Sequence, residues 1–110
     1  MDPSSHAYRP DLSSAELLAE LGQLLAEKRQ VERLICRYLA DLADQIQAGQ
    51  ASVLAGYSDI YQVAYCRLGL GVRATRERVR VGRALRELPA IEQAHLRGEL
   101  SFSRVREVTR

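Results

Sequence analysis

The sequence predicts an all-α protein: a long N-terminal helix over about residues 13–48, followed by a compact bundle of about four shorter helices. Three observations carry this. Ala, Leu, Arg, Glu and Gln dominate the 110 residues while aromatics are only 5%, a balance that favours helix over sheet. Apolar residues alternate spacings of four and three through most of the first half. Caps, glycines and a proline then divide the second half into segments of helical length. With 46% hydrophobic and 27% charged residues the chain has the composition of one folded domain with a modest core.

Residues 1–12, MDPSSHAYRPDL, hold two prolines and no periodicity, and read as a flexible leader. Ser13 is the N-cap of the long helix, Glu16 completes a capping box, and Leu12 is placed to staple against Leu17. From there Leu17, Leu21, Leu24, Lys28, Val31, Ile35, Tyr38 and Leu42 form a heptad seam, with Leu18, Leu25, Leu39 and Ile46 as a flanking row. Lys28 and Glu32 interrupt it. A helix of roughly 36 residues is about 54 Å long at 1.5 Å per residue. The rest of the chain is too short to cover it, so the seam calls for a partner helix. Leu17, Leu21, Leu24, Val31, Ile35, Tyr38 and Leu42 are therefore the candidate packing or oligomer residues, in a coiled-coil dimer or a hairpin.

Gly49 closes the long helix in the position after its C-cap, and residues 50–56 read as a partly helical connection. Ser58 is expected as the cap of helix two, with Asp59 adding a favourable charge to its first turn. That helix runs through Ile60, Tyr61, Val63, Ala64, Cys66 and Leu68 to Gly69. Helix three spans Val72 to Leu88 and ends before Pro89. Pro89 opens helix four, which carries Ile91, Ala94 and Leu96 before Gly98. Ser101 caps helix five, with Phe102, Val105 and Val108 as its inner face. Its pattern reaches Arg110 without a stop signal, as in a chain cut within a helix. The domain plan is a leader (1–12), a long amphipathic helix (13–48) and a helical domain (53–110).

The net charge of +2 conceals a split. Residues 1–60 sum to −4 and residues 61–110 to +6, and all basic residues but Lys28 are arginine. Such asymmetry suggests either a nucleic-acid face on the second half or neutralisation of one half by the other. Helix three concentrates it. On a helical wheel Arg73, Arg76, Arg80 and Arg83 form one stripe, and Ala74, Val81, Leu85 and Leu88 gather opposite. Four arginines over about 15 Å of helix would track a phosphate backbone, so these four are the candidate nucleic-acid-binding residues. Two internal fates compete with that. Arg73 can pair with Glu77 and Arg83 with Glu87 four residues on, and the acids of the long helix (Glu16, Glu20, Glu27, Asp41, Asp44) can absorb the rest.

Gly69-Leu70-Gly71-Val72-Arg73-Ala74 matches the GxGxxA dinucleotide pattern, but that mechanism needs a preceding strand and a βαβ unit. Here the glycines join two helices. Helix two, the Leu-Gly-Leu-Gly turn and helix three also have the lengths of a helix-turn-helix, against which stand Thr75 and Arg78 at positions that such a motif buries. No catalytic constellation is present: there is no asparagine, no histidine–carboxylate cluster at ligand spacing, and the serines at helix starts are caps. No metal site is expected from His6, His95, Cys36 and Cys66. No apolar run approaches a membrane span and no signal-peptide core is seen, so a cytoplasmic protein is expected, with both cysteines reduced and packed as small apolar side chains.

The segment AGYSDIYQVAYCRLGLG, followed by RVRVGRALRELPAIEQAHLRGELSFSRVREVT, resembles the helical N-terminal region of bacterial HNH endonuclease-family proteins. That region is a domain of unknown function that precedes the nuclease. Leu88-Pro89, Gly98 to Ser101, and Val105-Arg106 carry the most specific part, and the likeness covers about residues 12–110. Gly71 stands where many members place a serine cap. The resemblance implies an all-helical accessory domain for DNA binding or assembly, ahead of a metal-dependent nuclease. The His-Asn-His motif has no counterpart here, so no nuclease residue transfers to any position. No cofactor is expected in this chain; a divalent metal would belong to a downstream HNH domain. The expected partners are double-stranded DNA and a second copy joined through the long helix, with no membrane. The alternatives are a purely structural dimerisation module and a small helix-turn-helix regulator.

Overall fold

The computed structural model describes residues 7–110, and every regular element among them is helical. The first six residues of the expected leader lie outside the described region. Helix α1 spans Ser14–Gln47, α2 Ile60–Leu68, α3 Val72–Glu87, α4 Pro89–Leu96 and α5 Phe102–Val108, with a short 3-10 turn at Ser52–Leu54. The expected architecture of a long helix and four shorter ones is the one observed.

The start of α1 forms as its sequence dictates. The Glu16 amide donates to Ser13 Oγ (3.2 Å) and the Ser13 amide donates to Glu16 Oε1 (3.1 Å), which closes the capping box. Those bonds from Ser13 hold the Glu16 carboxyl below its ordinary range. Gly49, at φ 73°, ends the helix in the left-handed region that a side chain resists. The α2 start differs from expectation. Asp59, not Ser58, is the cap: its carboxylate accepts from the Gln62 amide at 2.9 Å. Ser58 lies one residue too early, and its amide and hydroxyl donate instead to Gln62 Oε1. Gly69 (φ 70°) ends α2, Pro89 opens α4 and Ser101 caps α5.

The core sits along the C-terminal half of α1. Cys36 packs with Val81, Leu85 and Val105, against Ile91, Leu100 and Phe102. Leu39 and Ala43 pack with Ile60 and Val79, against Leu42, Ile46, Tyr61 and Leu70. Small residues make this possible. Gly82 of α3 lies so close to the Cys36 carbonyl that an added Cβ would stand 2.0 Å from its oxygen, with Ala40 Cβ at 2.9 Å. Cys36, Ala40 and Ala43 thus form a row of small side chains on which α3 rests. Two expectations fail here. Cys66 is exposed, and Val108 lies on the outside of α5.

Polar groups complete the interior. Glu92 is buried in α4 and takes ion pairs from Arg37 (3.1 Å) and Arg33 (3.5 Å) of α1. His95 is buried beside it, with Nδ1 2.8 Å from the Leu100 carbonyl. A carbonyl only accepts, so Nδ1 carries the proton there. By contrast, no residue from 14 to 31 is buried. The helix of 34 residues, about 51 Å at 1.5 Å per residue, sets the 52 Å long axis of the molecule. The radius of gyration, 16.8 Å, exceeds the roughly 13 Å of a compact 100-residue domain because the N-terminal part of α1, ahead of Leu25, projects beyond the bundle.

Candidate functional site

Two surfaces follow from this arrangement: the arginine side of α3 and the outer face of α1. The first is largely occupied from within. Arg83 does not use Glu87; its Nε and Nη2 donate to Asp44 Oδ1 of α1 at 3.2 and 2.8 Å. Arg86, off the stripe, donates at 2.6 Å to both Asp44 Oδ2 and Asp41 Oδ1. The four side chains form a ladder across α1 and α3. Hydrogen bonds from Arg86 and then Arg83 hold the Asp44 carboxyl below its ordinary range, and Asp44 and then Asp41 raise Arg86 in return.

Arg80 is also engaged. Its Nη2 donates to Glu77 Oε1 (2.7 Å) and to the Arg106 carbonyl (3.0 Å), and its Nη1 donates to Thr109 Oγ1 (3.2 Å). A cation placed against the last carbonyls of α5 satisfies groups that helix geometry leaves open. Arg80 therefore takes the partner that spacing had offered to Arg73, and it depresses the Glu77 carboxyl. Arg76 lies over the Tyr61 ring at 5.7 Å while remaining exposed. Arg73 is exposed, and no partner for it is seen among the described residues. The stripe is thus divided: Arg80 and Arg83 tie the bundle together, and Arg73 and Arg76 stay at the surface. Thr75, the residue that argued against a helix-turn-helix, is fully buried and donates to the Gly71 carbonyl at 2.9 Å. Arg78 lies 5.7 Å from the Phe102 ring centre.

The ladder has a measurable pH signature. A carboxyl whose folded pKa is depressed adds stability above its unfolded value, about 3.9 for aspartate, and loses it as pH falls through the folded value. Urea midpoints measured from pH 7 down to about 3 should therefore fall below about pH 4 in the wild type and fall less steeply in Asp44→Asn. Identical pH profiles would mean that the ladder contributes nothing.

The outer face of α1 carries the seam. Leu17, Leu21, Leu24, Val31 and Ile35 are 40–54% exposed and Tyr38 is 66% exposed, with Leu42 half-buried. Leu18 and Leu25 are exposed beside them. Towards the C-terminal end these residues floor an apolar groove of about 300 Å³, whose far wall is Leu68 of α2. Towards the N-terminal end Tyr8 and Leu12 approach Leu17, Leu21 and Leu24, and Arg9 pairs with Glu20. The seam residues are therefore one continuous surface. Apart from Leu42, they are not the contact between α1 and the bundle, which centres on Cys36, Leu39, Ala40 and Ala43. That contact escaped the heptad reading because its signal is small size, at positions 36, 40 and 43 and at Gly82, whereas leucines dominate any hydrophobic pattern.

Among the described residues no group of three His, Cys, Asp or Glu could hold a metal ion. Burial pushes the Cys36 thiol up to about 11, so a thiolate nucleophile is not formed there near neutral pH. No helix among the described residues is long and apolar enough to cross a membrane. Comparison with protein-family models, with curated proteins and with solved structures gives no match.

Proposed function

We propose that this chain is an assembly module, an all-helical accessory domain of the kind that precedes the nuclease in bacterial HNH endonuclease-family proteins. One observation carries the assembly reading: the heptad seam of α1 from Leu17 to Tyr38 stays exposed on the outside of the bundle. The family part rests on the sequence likeness. The residues that carry it set the fold, Pro89 opening α4, Gly98 turning at φ 83°, Ser101 capping α5 and Val105 sitting in the core. The chain itself performs no catalysis in this reading.

The magnitudes suit reversible association. About eight half-exposed apolar side chains on each of two copies, at roughly 1 kcal/mol each, give roughly 16 kcal/mol. Lost translation and rotation remove about 4–15 kcal/mol. A mid-range cost leaves roughly 6 kcal/mol, a dissociation constant of tens of micromolar.

A second reading, nucleic-acid binding, is favoured by Arg73 and Arg76, which stay exposed at the N-terminal end of α3. Two phosphate contacts predict a log–log salt slope of about −1.8, where all four stripe arginines would give about −3.6. Sedimentation across about 1 to 500 µM, spanning that dissociation constant, with duplex titrations at several salt concentrations, tests both. A monomer throughout that range ends the assembly reading. A slope near −3.6 would show that Arg80 and Arg83 leave their internal partners for DNA.

A further inference from the structure

We propose that the pocket between the middle of α1 and the turn joining α4 to α5 binds a small amino carboxylate, such as a free amino acid. The pocket holds about 370 Å³, room for a small metabolite, and is lined by Arg29 and Glu32 of α1, His95 of α4 and Phe102 of α5. Its polar groups are incomplete. Among the described residues three buried side-chain nitrogens lack a hydrogen-bond partner, and two of them, His95 Nε2 and Arg29 Nε, belong to this lining. Buried polar groups are nearly always paired, so two orphans at one cavity call for a ligand that completes them.

Each orphan specifies what it needs. His95 is 2% exposed and its Nδ1–H is taken by the Leu100 carbonyl at 2.8 Å, so Nε2 presents a lone pair. Glu32 Oε2 stands 4.0 Å from Nε2, too far for a direct bond, and a carboxylate also only accepts. One donor seated between the two would bond both, and the negative charge of Glu32 favours a protonated amine there. Lys28 comes no nearer to Glu32 than 3.9 Å and its own side chain is mostly exposed, which leaves that carboxylate free to accept. Arg29 is the opposite case. Its guanidinium lies over Gly98, 3.3 Å from where a Cβ would stand, and no ion pair or hydrogen bond is seen for it among the described residues. A guanidinium only donates, and its planar fork matches a carboxylate. Leu25, Leu100 and Phe102 add an apolar wall for the body of the ligand. A phosphodiester could answer Arg29 but brings no donor to His95, which separates this pocket from the nucleic-acid reading.

Titration of the wild-type chain with each free L-amino acid in turn, up to about 20 mM, reads the pocket through the NMR signals of the His95 ring and Arg29 Nε. Saturable shifts of both signals are expected from at least one amino acid. A dissociation constant on the order of 1 mM suits a ligand of about ten heavy atoms. The hydroxy-acid and amide analogues of the best binder lack the ammonium and the carboxylate respectively, and each should bind at least about tenfold more weakly. Arg29→Met and Glu32→Gln should show a similar loss with an unchanged urea midpoint, since neither side chain has a close partner within the chain. Absence of any saturable shift overturns the proposal, the orphans then being met by water alone. Equal binding of either analogue to the wild type overturns it without recourse to a variant, as does undiminished binding in either folded variant.

Discussion

Replacing Gly82 by alanine is expected to cost about 3 kcal/mol, the upper end of the usual cost of overpacking a core. The added Cβ would meet the Cys36 carbonyl oxygen at 2.0 Å and its carbon at 2.6 Å, where ordinary contact begins at 3.4 Å. The obstacle is backbone, so no side chain can rotate away. Helix α3 must withdraw from α1, and both core clusters hang on that contact. With a urea slope of about 2 kcal/mol/M, the midpoint should fall by about 1.5 M. Gly22→Ala is the internal control. It also lies within a helix, but its Cβ meets nothing within 4 Å, so helix propensity alone should raise stability by up to about 1 kcal/mol. A Gly82→Ala midpoint close to wild type would mean that α1 and α3 do not approach as described.

The contrast between these two glycines marks where the sequence could be read and where it could not. Caps are local: Ser13 with Glu16, Gly69, Pro89 and Ser101 each act on neighbours within four residues, and each formed as expected. The heptad row was legible for the same reason. The fate of the arginines was legible only in part: Asp41 and Asp44 stood among the acids able to absorb them, but which arginine takes which acid did not follow from spacing. Spacing offered Glu77 to Arg73 and Glu87 to Arg83, yet Arg80 takes Glu77 and Arg83 takes Asp44, thirty-nine positions away. A short pair within one helix is worth only tenths of a kcal/mol, so for Arg83 the packing of α3 on α1, not sequence proximity, selects the partner, and Arg80 is held by the Arg106 carbonyl and the Thr109 hydroxyl beside Glu77. The buried Glu92 was hidden likewise: nothing in α4 itself announces that Arg33 and Arg37 wait on α1.

Placing lysine at both Leu24 and Ile35 should abolish self-association while leaving the monomer folded. Both side chains are exposed in the single copy, at 43% and 40%, and neither belongs to a core cluster. Exposed substitutions of this kind typically change stability by no more than about 0.5 kcal/mol. Both positions lie on the exposed seam, so a pair of double variants would bring four lysines to it. Loss of four apolar contacts at about 1 kcal/mol each weakens the pair roughly 10³-fold before any repulsion is counted. Sedimentation should then report monomer at concentrations where wild type dimerises, with an unchanged urea midpoint. A lowered midpoint would instead mean that these side chains pack within one copy. Because Arg73 and Arg76 lie on α3 and are untouched, any duplex binding that survives in this variant belongs to a single copy. Binding lost together with the dimer would make assembly the condition for contact with DNA, with two arginines from each copy acting as one surface.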